Sequence, residues 1–190
     1  TEMELFTGNQ IGSLLGWYRI KTMFDLGWLT ESNRSRAVLI KTLVTTDLQR
    51  SIAESYGISV IDTLTGFKYI GEKLKKYEDA IPAEKKGDYR GLTEEESRKL
   101  RLEYSKFFVF GGEESYGYLG SDFVRDKDGN ASAVMFAELA AYAMSEGTTI
   151  AGLRDRIWDE YGVHLEQGKS LVMEGGDCLL YTSPSPRDRE

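Results

Sequence analysis

The sequence predicts an α/β fold, a three-layer α/β/α domain with a small mixed, mainly parallel sheet. Its parts are a βαβ unit, a third strand and C-terminal helices. Three observations predict it. Residues 37–44 (Ala-Val-Leu-Ile-Lys-Thr-Leu-Val) and 58–61 (Ile-Ser-Val-Ile) are apolar runs flanking a helical pattern, so the two strands should be parallel. A third apolar run, residues 106–110 (Lys-Phe-Phe-Val-Phe), stops at Gly111 and Gly112, where a turn meets no side chain. Residues 131–145 are apolar almost all round, Glu138 excepted, which is the mark of a buried helix.

Each element has its own signal. Residues 1–10 read as the end of a strand and a turn. Ile11, Leu14, Leu15, Tyr18 and Thr22 recur at helical spacing up to about Phe24, and Gly27 ends that helix. Residues 31–36 are polar and form a connection. In the βαβ unit, Thr46 with Gln49 fits a capping box, Leu48, Ile52 and Tyr56 make one stripe, and Gly57 suits the C′ position. After the turn Thr63-Leu-Thr-Gly66, a helix carries Phe67, Ile70 and Leu74 on one side and a solvated lysine face on the other. Residues 79–91 read as a loop. Thr93 with Glu96 caps a charged helix to about Tyr104, whose Glu94–Glu96 and Lys99–Arg101 charges read as a solvated face. Ile150, Leu153, Ile157, Trp158 and Tyr161 form the stripe of a last helix ended by Gly162, and an extended segment follows from Val163.

Composition narrows the function. A chain of 190 residues fits one domain of ordinary size, and 12% aromatic residues argue for a folded globule. A net charge of −7 disfavours a general nucleic-acid binder but not an anionic substrate, which responds to the local field of a cleft. No apolar run approaches the roughly 18 residues of a membrane span. The lone Cys178 offers no disulfide framework, so a reducing, cytoplasmic setting is expected. The chain starts at Thr1 without an initiator Met or a signal peptide, so an upstream continuation is expected.

The chemistry concentrates in Gly111-Gly-Glu-Glu-Ser-Tyr-Gly117. This is no dinucleotide fingerprint, because Glu113 stands where the second glycine belongs. Asp126-Lys-Asp-Gly-Asn130 is no calcium loop, since Ala131 and Ala137 replace the required Gly and Glu. His164 has no ligand partner at suitable spacing. A helix cap needs one acceptor, whereas Glu113, Glu114 and Ser115 supply two carboxylates and a hydroxyl at the end of a buried strand. Such a set suits a ligand rich in hydroxyls. Arg125 and Lys127 alternate with Asp126 and Asp128, either as a solvated turn or as cations near a bound phosphate. Lys68, at a helix start beside Thr65-Gly66, is the one lysine of its helix set apart from the solvated face.

These pieces together resemble the α-D-phosphohexomutase family, the phosphoglucomutases and phosphomannomutases. Gly112-Glu-Glu-Ser115 is similar to the family's sugar-recognition loop. The longer Glu-Glu-Ser-Tyr-Gly-Tyr-Leu, with Phe-Val-Arg-Asp-Lys-Asp-Gly after it, resembles the bacterial phosphoglucomutase branch. Thr65-Gly-Phe-Lys-Tyr-Ile-Gly71 and Phe6-Thr-Gly-Asn-Gln-Ile-Gly12 resemble two further family segments, in the family's order.

The resemblance implies the third of four α/β domains around one cleft. A phosphoserine in the first domain transfers the phosphoryl group, the second holds magnesium, the third reads sugar hydroxyls and the fourth binds the substrate phosphate. Residues 1–10 would then end the second domain, 11–165 form the third, and 166–176 begin a link to the fourth. Residues 177–190 resemble translated adapter read-through and are set aside as non-native. The resemblance places no catalytic residue and no metal ligand here, so the chain alone should be inactive. It implies a hexose phosphate as substrate, glucose 1,6-bisphosphate as activator and intermediate, and the missing domains as partners, with neither nucleic acid nor membrane. By position, Glu113 and Ser115 would bond adjacent sugar hydroxyls, within a loop that includes Gly112 and Glu114. Thr65 would contact substrate through its turn, and Lys127 would lie near the hydroxyl or phosphate side. Arg125 and Lys68 are further candidates. Gly111 departs from the bulkier residue of many relatives, and residues 79–104 resemble a lineage insertion. Mannose or pentose phosphate as substrate, and a non-catalytic carbohydrate-binding module, are the alternatives.

Overall fold

Helix α1 (Gly8–Asp25) opens the fold of residues 4–167, the part that the computed structural model describes. There follow β1 (Ala37–Thr42), α2 (Leu48–Ser55), β2 (Ser59–Thr63), α3 (Phe67–Asp79), α4 (Ala83–Lys86), α5 (Glu94–Tyr104), β3 (Phe107–Glu113), β4 (Gly117–Leu119), α6 (Gly129–Ser145) and α7 (Ile150–Tyr161). The strand order is β2-β1-β3-β4. β1 runs parallel to both β2 and β3, and β4 lies antiparallel on the outer edge of β3. The mixed, mainly parallel sheet between helical layers is therefore the one expected. Residues 1–3 and 168–190 lie outside the described residues, and with them Cys178, the expected tail and nearly all of the expected link. No described helix is long and apolar enough to cross a membrane.

Two cores flank the sheet. On one face Leu14, Leu15, Ile20 and Met23 of α1, with Ile52, Leu139, Leu153 and Ile157, pack onto Leu39, Val109 and Phe110. On the other face Phe67, Ile70 and Leu74 of α3 cover Val38, Ile40 and Phe108. Each such side chain, fully buried, stabilises the fold by about 1.5–3 kcal/mol. Between them the register of β3 slips. Val38 pairs with Phe108 but Leu39 pairs with Phe110, so Val109 is an extra residue, and it shares the larger core with Phe110. Strand side chains alternate, so one extra residue reverses the phase of all that follow. Glu113, at the strand's end, thereby faces α3.

Several expectations need correction. β3 does not stop at the glycines; it continues through Gly111 and Gly112 to Glu113, because β4 pairs with those residues in a hairpin the sequence did not reveal. Gly8–Gln10 belong to α1 and not to a turn, since Thr7 and Gln10 form a capping box ahead of it. Thr46 and Gln49 form none. Asp47 is the N-cap of α2, while Thr46 Oγ1 accepts the Leu48 N–H and Gln49 is buried. The box of Thr93 and Glu96 does form. The stretch read as a loop after Asp79 holds α4 and a 3₁₀ turn at Tyr89–Gly91. Helix α6 is not buried all round: only Leu139 and Ala143 are fully covered, and Val134 and Met144 are exposed. Helix α5 is not merely solvated. Arg98 stacks over Trp28 with its guanidinium 3.8 Å from the ring centroid, and Arg101 is 2% exposed.

Candidate functional site

Glu113 is the centre of the site. It is 6% exposed, and its Oε1 accepts the Gly66 N–H at 2.7 Å. Gly66 is the N-cap of α3 and adopts φ +122°, a conformation open to glycine and costly to other residues. No side chain of its own caps α3, so the carboxylate from β3 satisfies an N–H at the positive end of the helix dipole. The contact brings Thr65-Gly66 and Gly112-Glu113, far apart in sequence, to one point. Both lie at carboxyl ends of strands, where parallel sheets collect ligands.

Gly117 is the hub of this cluster. A Cβ there would lie 3.0 Å from Phe67 Cε2, 3.4 Å from Lys127 Cδ and 3.5 Å from Glu113 Oε2. Glu113 and Lys127 thus converge on a backbone with no side chain. The Lys127 ammonium sits 5.8 Å from the Phe67 ring centroid and pairs with no carboxylate among the described residues. With Oε1 engaged by Gly66, Oε2 of Glu113 remains as an acceptor beside an unpaired cation. That pairing can receive a sugar hydroxyl and a neighbouring anionic group together.

The other expected residues distribute differently. Thr65 and Lys68 are exposed at the start of α3, and the Lys68 ammonium lies over the Tyr69 ring at 5.3 Å. Gly112 is buried in β3, opposite Tyr118. Ser115 is exposed at the hairpin tip, followed by Tyr116 at φ +63°, the left-handed residue of a three-residue hairpin loop. The Tyr116 hydroxyl donates to the Phe6 carbonyl at 3.2 Å. Glu114 turns towards the other side of the site, where its Oε2 accepts from Thr42 Oγ1 at 3.4 Å. Its carbonyl oxygen lies 1.8 Å from where a Gly8 Cβ would be, so the start of α1 is packed under the loop. Arg125 is not gathered with Glu113. Its guanidinium is ion-paired with Glu78 of α3, and burial lowers its pKa.

Sequence reasoning missed Lys41. It is 1% exposed at the end of β1, and its ammonium meets Asp47 at 3.1 Å, Asp62 at 3.2 Å and the Thr45 carbonyl at 2.9 Å. The hydrogen bond from Lys41 holds the Asp47 carboxyl below its ordinary pKa. Thr42 and Thr45 hydroxyls, 2.7 Å apart, link this ion cluster to Glu114. A lysine inside an apolar strand pattern, with Asp47 in the following connection and Asp62 in the next strand, was the available signal.

With this geometry in place, comparison with known proteins identifies the fold and its lineage. The sequence matches the family described as phosphoglucomutase/phosphomannomutase, alpha/beta/alpha domain III, over residues 7–161. The chain belongs to this α-D-phosphohexomutase family and corresponds to its third domain. It is 28% identical over 183 residues to a phosphopentomutase of Pongo abelii, covering 94% of this chain and 25% of that protein. It is 28% identical over 170 residues to a phosphoglucomutase of Staphylococcus haemolyticus, covering 90% of this chain and 25% of that one. The chain therefore spans about a quarter of the length of these curated relatives. A crystal structure of a putative phosphomannomutase from Thermus thermophilus shares the fold with a TM-score of 0.55 at 22% identity, over 83% of this chain and 26% of that one.

Proposed function

We propose that this chain is the sugar-recognition domain of a phosphoglucomutase-type isomerase, which interconverts hexose 1-phosphate and hexose 6-phosphate through a phosphoserine and a bisphosphate intermediate. The observation that carries the reading is the convergence of Glu113 Oε2 and Lys127 on Gly117, beside the N-terminus of α3. Glu113 orients the sugar by accepting from its hydroxyls, and Lys127 balances negative charge. A bisphosphate must present either end to the phosphoserine. Adjacent hydroxyls occupy similar places after such a flip, so one carboxylate can hold both orientations. Phosphoryl transfer depends on positioning and charge stabilisation, and this domain contributes the positioning. Ser115 and Thr65 line the approach, with Gly112 and Glu114 shaping the loop.

The transferring serine and the magnesium ion belong, in this reading, to other domains of the full-length protein. So does the principal phosphate grip, and the chain alone is inactive. Among the described residues no three His, Cys, Asp or Glu side chains are grouped to hold a metal ion. Residues 1–6 close the preceding domain, while Thr7 and Gly8–Gln10 open α1 of this one; 166–176 lead to the next, and 177–190 are foreign to the natural protein. The setting is cytoplasmic. A second reading, pentose phosphate as substrate, draws on the similarity to phosphopentomutases.

Recovery of the complete gene provides the test. Its product is assayed with glucose, mannose and ribose 1-phosphates in the presence of magnesium and glucose 1,6-bisphosphate. The highest kcat/KM is expected for glucose 1-phosphate. A preference for ribose 1-phosphate moves the assignment to the second reading, and turnover of none of the three ends the mutase reading.

A further inference from the structure

We propose that the segment between α3 and β3, residues 80–106, is a brace that positions Lys127 for sugar-phosphate binding, with Arg101 as its central positioning residue. The inference rests on the site reading above and concerns how that site is held. Lys127 sits in the connection from β4 to α6, which has no regular structure from Gly120 to Lys127. Such a loop fixes a functional cation only if it is tied down on both sides. Behind Lys127, the Asp128 N–H donates to the Tyr118 carbonyl at 3.1 Å, and Asp128 caps α6 through the Ala131 N–H. The other side has no sheet partner, and the brace supplies the hold together with the C-terminal half of α3, which it flanks.

Two anchors do this. Arg101 of α5 donates through Nη2 to Asp122 Oδ2 at 2.5 Å, through Nε to the Tyr89 hydroxyl at 2.6 Å, and through Nη1 to the Leu74 carbonyl at 3.3 Å. The Tyr89 hydroxyl donates in turn to Asp122 Oδ2 at 3.2 Å, closing a triangle around a fully buried guanidinium. The second anchor is Glu78, which pairs with Arg125 of the loop and is flanked by Lys86 at 3.3 Å and Arg90 at 3.7 Å. The loop backbone lies against α3 at Gly71, where a Cβ would come within 3.0 Å of the Arg125 carbonyl oxygen. Arg101, Tyr89, Lys86 and Arg90 all come from the brace. Charge-assisted bonds of this kind, closed into a network and partly desolvated, hold geometry better than isolated surface pairs.

A double-mutant cycle in the full-length protein tests this, with KM for glucose 1-phosphate, kcat and thermal midpoint as readouts. Asp122→Ala removes the acceptor on the loop, Lys127→Ala removes the cation, and Tyr89→Phe deletes only the bridging hydroxyl should Asp122→Ala fail to fold. Lys127→Ala is expected to raise KM about tenfold. Asp122→Ala should raise it three- to tenfold with kcat within twofold, and Tyr89→Phe should move it the same way by less. In the double variant Asp122→Ala adds no further loss, because its effect runs through Lys127; a merely structural role would add in full. KM within twofold of wild type for Asp122→Ala and Tyr89→Phe, or full additivity, overturns the brace. An unchanged KM for Lys127→Ala removes the site reading and the brace with it.

Discussion

The Glu113 carboxylate accepts the Gly66 N–H at 2.7 Å and so ties the end of β3 to the first turn of α3. This bond has two jobs. It satisfies a helix N-terminus that has no side-chain cap of its own, and it fixes the direction of the remaining carboxylate oxygen.

The two jobs separate by substitution. Glu113→Gln keeps an oxygen for Gly66 but replaces a ligand-facing acceptor with a donor. Turnover of the full-length protein should fall at least about tenfold, equivalent to about 1.4 kcal/mol, with little change in stability. Glu113→Ala should lose both, adding a stability cost of about 1 kcal/mol for the lost bond to a half-buried N–H. Steady-state kinetics and urea denaturation read the two effects. Unchanged turnover in Glu113→Gln would remove the orienting role.

Gly117 probes the same site by steric means. An alanine methyl would press on Phe67 and touch both Lys127 and Glu113. Gly117→Ala should raise KM for the sugar phosphate about fivefold or more, at a stability cost of about 1–3 kcal/mol. Isothermal titration with the substrate distinguishes this from an effect on the chemical step.

Gly8 tests how α1 is seated beneath the Glu114–Tyr116 hairpin loop. A Cβ at Gly8 would overlap the Glu114 carbonyl oxygen, so backbone must shift. Gly8→Ala should destabilise the 190-residue chain by at least about 2 kcal/mol. Gly129→Ala is the control: nothing lies within 4 Å of its added methyl and its φ is not left-handed, so stability should hold or rise slightly. Chemical denaturation of both variants measures the contrast.

The Lys41–Asp47 pair predicts a pH dependence with a definite sign. Asp47 has its pKa lowered from the ordinary 3.8, chiefly by its hydrogen bond from Lys41. Its contribution is therefore complete above that value and is lost as pH falls below it through the folded-state value. Asp47→Asn should lower the urea midpoint equally at about pH 7 and about pH 5, with the gap narrowing towards about pH 3. A gap that stays constant down to that pH would show that the carboxylate's charge is not what stabilises.

Much of the domain was legible in the sequence because its strands and helices bury continuous or periodic apolar faces. The βαβ unit, the Phe67–Ile70–Leu74 stripe and the Leu153–Ile157 stripe all occur as expected. What escaped depends on partners remote in sequence. β4 is three residues long and is a strand only because it pairs with Gly111, Gly112 and Glu113. Arg101 reads as part of a solvated face, yet Asp122 pairs with it from a loop remote in sequence. Lys41 is hidden in an apolar run and finds its counter-ions on the following connection, at Asp47, and on the neighbouring strand, at Asp62. In the site, Glu113, Thr65-Gly66 and Lys127 come together, while Arg125 is drawn off by Glu78, a pairing that no local spacing reveals.

The extra residue at Val109 gives β3 a property that composition does not capture, namely parity. Exchanging Phe108 or Phe110 for another apolar side chain alters packing and leaves Glu113 where it is. Removing one residue between Phe107 and Gly112 would turn Glu113 towards the α1 face, away from Gly66, even if every apolar position stayed apolar. Removing two would shorten the strand and keep the carboxylate on its proper side. The placement of Glu113 is thus exposed to insertions and deletions in a strand that can absorb many substitutions, and a change of length in β3 that preserves it would come in even steps.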